Sequence, residues 1–388
     1  GDTLKMIPSD QVDNVEELKP LRCTCGKRLL RQEMELQVRR QVFDIPDPKL
    51  LVTEYRQYSC NCPNCGQLNK GQFPQEVSAP VQYGVGVQAL VNILNVKYHL
   101  SYQHIEELFG DLFNQPVNAS TIQNALVKAN IRVEPVLEQI KSKLFESAIC
   151  HADETGIRID KGRHWLHILC NKAYTFIYPH EKRGKDAFNA VLPELKTYRG
   201  ILVHDCWSSY WSLVLVLHTL CNPHLLRELT AQIEQGRSWA VQMHKLLLNL
   251  YEEKYLKGLQ IDQESPEWLE YQQICKAALE EEPPPIKNKR GKAKQTKGRN
   301  LAERLLKYQT EVLRFALEQN VPFSNNQAER DLRPIKGKQK VAGCFRTWEG
   351  ANRYARLASV FSSWRKQQYN VFLELKGLLA GTNFEFAR

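Results

Sequence analysis

The chain has little that would take it out of the cell or into a membrane. Its longest apolar run, Trp211 to Leu217, is far shorter than the roughly 20 residues a bilayer requires. The amino end, Gly1-Asp2-Thr3-Leu4-Lys5, has no apolar core of the kind a secretory signal needs. Negative charge is also in deficit, with 43 acidic against 53 basic residues, a formal net charge of +10 and a pI near 9.0. That balance favours an anionic partner, nucleic acid ahead of membrane. No Ser or Tyr stands in a constellation suited to a covalent nucleophile. A cytoplasmic protein is therefore expected. The initial Gly and the missing initiator Met suggest that the natural start is absent.

At 388 residues the chain is too long for one ordinary core, and two to four domains are expected. Of its 11 cysteines, five fall between Cys23 and Cys65, and the others are single residues in apolar contexts. Clustered cysteines point to metal and scattered ones to reduced core thiols. Cys62-Pro63-Asn64-Cys65-Gly66 is a zinc-binding turn whose glycine allows the required backbone. Its counterpart, Cys23-Thr24-Cys25-Gly26, is one residue tighter. Cys23, Cys25, Cys62 and Cys65 are the expected structural zinc ligands, with Cys60 as an alternate. Strands are expected at 36–43 and 50–58, which would make residues 1–80 an arm and a small zinc ribbon.

Residues 81–147 read as helices: 85–98, 101–109 capped by Ser101, and a third capped by Ser120 that places Ile122, Ala125, Leu126 and Ala129 on one face. The spacing allows a helix-turn-helix DNA-binding domain. Gln123, Asn124 and Lys128 are few polar groups for groove reading, so plain packing is the alternative.

From 148 the period changes to that of strands. The run Ala148-Ile149-Cys150-His151-Ala152 delivers Asp153 and Glu154, and Gly200-Ile201-Leu202-Val203-His204 delivers Asp205. Strands at 149–153, 164–170 and 173–178, a helix at 184–195 and a strand at 201–205 are the opening of a ribonuclease-H-like sheet with acids on its first and fourth strands. A further strand is expected at 218–221, and a helix starting at Asn222-Pro223. Long helical patterns continue to about 280. Lys287–Arg299, with seven basic residues, reads as a loop that is either solvated or gripping phosphates. Helix resumes over 301–319. A third acid, Glu329, follows Pro322, with Ser324 or Asn325 as the cap of its helix.

Three such acids suit two divalent cations, because magnesium takes oxygen ligands and a cation pair can stabilise both the attacking and the leaving oxygen of a phosphodiester. Glu329 is followed by Arg330, Arg333 and Lys336. Arg333 and Lys336 share its helix face if the helix continues past Pro334, which would set phosphate-binding bases beside the acid. A solvated, salt-bridged helix is the alternative. On a strand Asp153 and Glu154 point to opposite sides, so only one can face Asp205.

Four segments together, His151-Ala152-Asp153-Glu154-Thr155-Gly156, Val203-His204-Asp205-Cys206-Trp207, Cys221-Asn222-Pro223-His224-Leu225-Leu226-Arg227-Glu228-Leu229 and Asn325-Asn326-Gln327-Ala328-Glu329-Arg330, resemble bacterial insertion-sequence transposases of the IS-sixty-six family. The cysteine-rich start is similar to that family's zinc-binding domain. The resemblance implies an α/β, multidomain protein: a ribonuclease-H-like core in two parts, 148–225 and 319–388, with a helical insertion at 226–318. It implies DNA cleavage at element ends and strand transfer into target DNA. Asp153, Asp205 and Glu329 would be catalytic ligands of two Mg²⁺ or Mn²⁺ ions, Asp153 rather than Glu154 being the motif's acid. His151 would share its side of the strand. The motif at Cys221 implies that His224 and Arg227 contact DNA, a packed helix-capping role being the alternative. Trp207 and Trp348 are candidates for stacking on unpaired bases or for core. The expected partners are double-stranded DNA, a second copy on DNA and accessory proteins of the same element. In the family the first zinc turn has a cysteine where Arg22 stands here, which makes Cys23 a less certain ligand than Cys25. The family's longer coiled-coil amino-terminal region is not seen. The competing readings are a ribonuclease-H-like nuclease without strand transfer and a non-catalytic zinc-containing DNA-binding protein.

Overall fold

The computed structural model describes residues 4–29, 34–74, 76–285 and 295–387. Most of the expected basic loop, 286–294, lies outside them. The chain forms two compact units, Gly1–Glu54 and Tyr55–Arg388.

In the first unit, Gln41 ties two segments together, its side-chain oxygen accepting from the Ile7 N–H and its amide donating to the Ile7 carbonyl. The turn at Cys23 closes through Gly26 N–H donating to Cys23 O at 2.8 Å, with Gly26 at a φ of 90°. The second unit opens with β1 (Ser59–Asn61) and β2 (Leu68–Lys70), an antiparallel pair around the Cys62 turn. The strands expected at 36–43 and 50–58 do not form. A strand needs a partner for its ladder; among the described residues before α1 the chain finds one where the Cys62 turn folds it back on itself, and a single antiparallel bridge, Arg22 with Arg28, at the Cys23 turn.

Four helices follow: α1 (Val85–Val96), α2 (Tyr102–Phe113), α3 (Ala119–Arg132) and α4 (Glu134–Phe145). Ser101 caps α2 by accepting from the His104 N–H. Asn118 rather than Ser120 caps α3, its side chain accepting from the Thr121 N–H while Ser120 donates to Asn118. Asn118 sits at the boundary with extended backbone, as a cap must, whereas Ser120 is already helical. The apolar face of α3 is buried as the spacing predicts, and Gln123 hydrogen-bonds the Tyr102 hydroxyl.

Next come β3 (Ile149–Ile159), β4 (Gly162–Cys170), β5 (Thr175–His180), α5 (Lys185–Val191), β6 (Ile201–His204) and β7 (Leu217–Leu220). The helix expected at 184–195 stops at Val191 and gives way to a tight turn at Pro193–Lys196. Proline disfavours helical backbone in the residue before it, and Leu192 is accordingly non-helical. The sheet runs β5-β4-β3-β6-β7. The pairs β5–β4 and β4–β3 are antiparallel, whereas β6 runs parallel to β3 and β7 parallel to β6.

The remaining helices are α6 (Asn222–Ile233), α7 (Ser238–Lys257), α8 (Pro266–Glu281), α9 (Lys297–Lys307), α10 (Gln309–Leu317), α11 (Asn326–Ala342), α12 (Trp348–Lys366) and α13 (Val371–Leu379). The helix expected over 301–319 is broken at Tyr308, whose ring stacks on Trp211 with centroids 3.9 Å apart. One apolar core joins α1–α4, the sheet and α11–α13; a second joins α6–α10 to Ile201 and Leu220 of the sheet. The helices between β7 and α11 thus bury their faces against one another. α11 lies against β3 and α12 against β5, so the chain returns to the sheet after the insertion.

Candidate active site

β3 and β6 pair in parallel over three residues, Ile149↔Ile201, Cys150↔Leu202 and His151↔Val203. The ladder ends two residues before Asp153 on one strand and two before Asp205 on the other, so both acids follow the same end of the pair. β6 ends at His204, so Asp205 emerges at its carboxyl end, where parallel sheets open to ligands. The chain then turns sharply. Cys206 has a φ of 34°, uncommon for a residue with a Cβ, and Asp205 Oδ1 accepts from the Trp207 N–H at 3.1 Å.

Glu329 reaches the same place from α11. The helix is fastened by Asn325, which is buried. Its amide donates to Ala152 O at 2.8 Å, its side-chain oxygen meets His151 Nδ1 at 2.9 Å, and its backbone N–H meets Cys221 Sγ at 3.2 Å. One side chain therefore connects the residues before Asp153 to the first turn of the Glu329 helix, in which the Glu329 N–H donates to Asn325 O. Asn325 is at the helix boundary, but its side chain serves β3 and makes no cap bond. His151, paired with Asn325 rather than with Asp153, has its pKa lowered to about 4 by burial, so it is neutral.

The acids feel one another. The Asp153 carboxyl is pushed up to about 7, first by burial and then by the charges of Glu154, Asp205 and Glu329, against the opposing hydrogen bond from the Glu154 N–H. Glu154 is deeply buried, its side chain 1% exposed, and accepts from Arg183 Nε at 2.7 Å and the Tyr210 hydroxyl at 2.6 Å. Burial still raises its pKa. Arg183 also approaches Asp205 Oδ2 at 4.0 Å and lies over the Trp207 ring at 3.7 Å from its centroid. Sequence reasoning missed Arg183 and Tyr210. An arginine after a strand and a tyrosine in a loop carry no local signal of a shared carboxylate partner 29 and 56 residues away.

His224, in the first turn of α6, has Nδ1 4.0 Å from Glu329 Oε1. Ligand-type atoms of Cys221, His224 and Glu329 lie within 4.8 Å of one another. The Cys221 thiol is pushed up to about 11 by burial and so stays protonated, which disfavours metal binding through sulfur. Arg227 is exposed one turn further along α6. α11 does continue through Pro334 to Ala342. Along it Arg330, Arg333 and Lys336 are all exposed. Trp207 is 38% exposed beside the acids, whereas Trp348 is half-buried with its ring edge-on to His164.

The cysteine turns are alike in construction. The N–H of the first cysteine donates to the carbonyl of the residue after glycine in each, Cys23 to Lys27 and Cys62 to Gln67. Cys23 thus fills in its turn the place that Cys62 fills in the other, and Arg22 stands outside it. The Cys23 thiol is held low by the backbone N–H and thiol of Cys25, and the Cys62 thiol by the backbone N–H groups of Cys65 and Asn64. Cys60 lies in β1, opposite Asn69.

No helix among the described residues is long and apolar enough to cross a membrane. Comparison with curated proteins gave no match. A model of the zinc-finger binding domain of the IS66 transposase matches residues 20–66, spanning both cysteine turns. A model of the transposase IS66 family matches residues 80–353, taking in the sheet, the helical insertion and all three acids. By that match, which covers well over half of its length, the chain belongs to the IS66 family of insertion-sequence transposases.

Proposed function

We propose that this chain cleaves DNA at the ends of its mobile element and joins the freed 3′ hydroxyl to target DNA, with Asp153, Asp205 and Glu329 as the catalytic acids. The observation that supports this reading is that the charges of Asp205 and Glu329 both act on the Asp153 carboxyl, with Asp205 just past the end of β6 beside β3 and the Glu329 helix fastened to β3 through Asn325. The strand order and directions support a ribonuclease-H-like reading of the core, with helices inserted in the chain after β7 and a return to the sheet through α11.

The residues fit hard divalent cations. The donors are carboxylate oxygens, and the repulsion that helps raise Asp153 to about 7 is relieved by positive charge. Asp153, Asp205 and Glu329 would hold two Mg²⁺ or Mn²⁺ ions, which supply Lewis acidity to the attacking and leaving oxygens. The chain itself positions the DNA. Arg330, Arg333 and Lys336 on α11, with Arg227 on α6, bind backbone phosphates, and His224 contacts the strand beside Glu329. Arg183 neutralises Glu154, leaving Asp153 as the acid for metal. Cys23, Cys25, Cys62 and Cys65 are the ligands of a structural zinc, with Cys60 outside the set. α1–α4 belong with the DNA-binding part. The active form is a homodimer on DNA in the bacterial cytoplasm, assisted by other proteins of the element.

Strand joining tests this. A pre-cleaved element end is incubated with plasmid and Mg²⁺ or Mn²⁺. Joined product is expected from the wild-type chain and none from Asp153→Ala, Asp205→Ala or Glu329→Ala, each of which still binds DNA. Joining that survives in all three variants refutes the assignment. Hydrolysis without joining reduces the protein to a nuclease.

A further inference from the structure

An open cavity of about 180 Å³ lies against Asp205, lined by Cys206, Trp207, Leu220, Cys221, His224, Leu225, Glu228 and Arg304. Most of its lining comes from three places. The turn after β6 contributes Cys206 and Trp207, α6 contributes His224, Leu225 and Glu228, and α9 contributes Arg304. We propose that this cavity receives a single unpaired nucleobase next to the scissile phosphate, with Trp207 as its stacking surface and the Glu228–Arg304 pair meeting its polar edge.

Size comes first. The volume is below the roughly 300 Å³ at which pockets for drug-sized ligands begin, so it suits one planar ring rather than a whole nucleotide. Leu220 and Leu225 are buried and apolar, as a base face requires. Trp207 is the exposed aromatic of the group, and the guanidinium of Arg183 covers its ring at 3.7 Å, extending the stack by one cationic layer. Arg304 Nη2 lies 2.6 Å from Glu228 Oε2 as an ion pair, and neither its Nε nor its Nη2, both buried, has a well-aligned hydrogen-bond partner. An unpaired buried donor beside an ionised acceptor is a site for a heterocycle edge that carries both an acceptor and a donor. A base in a duplex reaches neither the ring nor the pair, so it must leave the stack, which costs least at a mismatch or a free end.

The inference rests on the proposed DNA chemistry for its location, but its test is a binding measurement that needs no catalysis. Two duplexes of one sequence are compared, fully paired and with a single mismatched 2-aminopurine, and the full-length chain is titrated into each. The wild-type chain is expected to bind the mismatched duplex tighter and to quench its 2-aminopurine as the base stacks. Trp207→Ala is expected to lose that preference by about tenfold, within the ~1–3 kcal/mol of one base–aromatic stack, and to leave binding of the paired duplex unchanged. Trp207→Phe should keep most of the preference. Arg304→Ala should keep the quenching and weaken the preference. Trp207 is exposed, and unchanged thermal melting of the variants excludes misfolding. Equal affinity for both duplexes, unquenched 2-aminopurine, or a Trp207→Ala loss shared by both duplexes overturns the cavity as a base site. Those results leave the strand-joining test of Asp153, Asp205 and Glu329 standing.

Discussion

Replacing Asp153 with asparagine should make the magnesium-free protein more stable, not less. In the folded chain this carboxyl titrates near about 7 against an ordinary 3.8, because burial and three neighbouring carboxylates disfavour its charge. A rise of about three units corresponds to about 4 kcal/mol at about 1.36 kcal/mol per unit. The folded state holds the proton more tightly than the unfolded one. The stabilisation is therefore complete below the unfolded pKa of 3.8 and is lost as pH climbs through about 7, above which the ionised group opposes folding by its full amount. Solvent screening at this half-buried site lowers the expected gain to roughly 1–3 kcal/mol at pH 8. The asparagine amide would keep an oxygen for the Glu154 N–H, so Asp153→Asn removes charge and little else. Melting curves of both proteins in magnesium-free buffer at pH 4 and pH 8 provide the assay. At roughly 2–4 °C per kcal/mol, the variant should melt several degrees above wild type at pH 8 and nearly level with it at pH 4. Added Mg²⁺ should raise the melting temperature of wild type more than that of the variant. A variant that melts lower at pH 8, or gains equally at both pH values, refutes the carboxylate crowding.

Asn325→Ala should cost about 2–4 kcal/mol in urea unfolding, since it strips partners from the Ala152 carbonyl and His151 in a buried setting; strand joining should fall with it, because the anchor of α11 is lost. Arg183→Ala leaves Glu154 without its cation at 1% exposure and should destabilise by about 3 kcal/mol at pH 8. The loss should shrink as acid protonates Glu154, whose folded pKa is raised, and a pH-independent loss would contradict the pairing. Zinc content, measured by metal analysis, should fall sharply in Cys62→Ser and Cys23→Ser and persist in Cys60→Ser; zinc retained by Cys23→Ser would return the place to another ligand.

The candidate acids at 153, 205 and 329 stand out in the sequence because each follows a local pattern, two at the ends of apolar strand runs and one after a helix break, and the strand-joining assay tests them as the catalytic set. The sheet was legible for the same reason, since alternation and strand length are local properties. The cysteine-rich region was misjudged in its strands: extended-looking segments at 36–43 and 50–58 found no ladder, and pairing is decided by what the chain meets. The cap of α3 moved from Ser120 to Asn118 because two nearby candidates compete and only backbone geometry chooses.

The amino-acid sequence by itself determined the order of elements and the bases that follow Glu329, both carried by neighbouring residues; local pattern left Asp153 and Glu154 equivalent, and the family resemblance chose between them. Tertiary structure alone decided that the charges of Asp205 and Glu329 bear on Asp153, and the use of Asn325 as a clamp between strand and helix rather than as a cap. It also decided that Glu154 is held by Arg183 and Tyr210. These side-chain contacts join residues 29 to 174 positions apart. Their partners are chosen by burial, which makes an unpaired polar group costly, and no local pattern records which mate it will find.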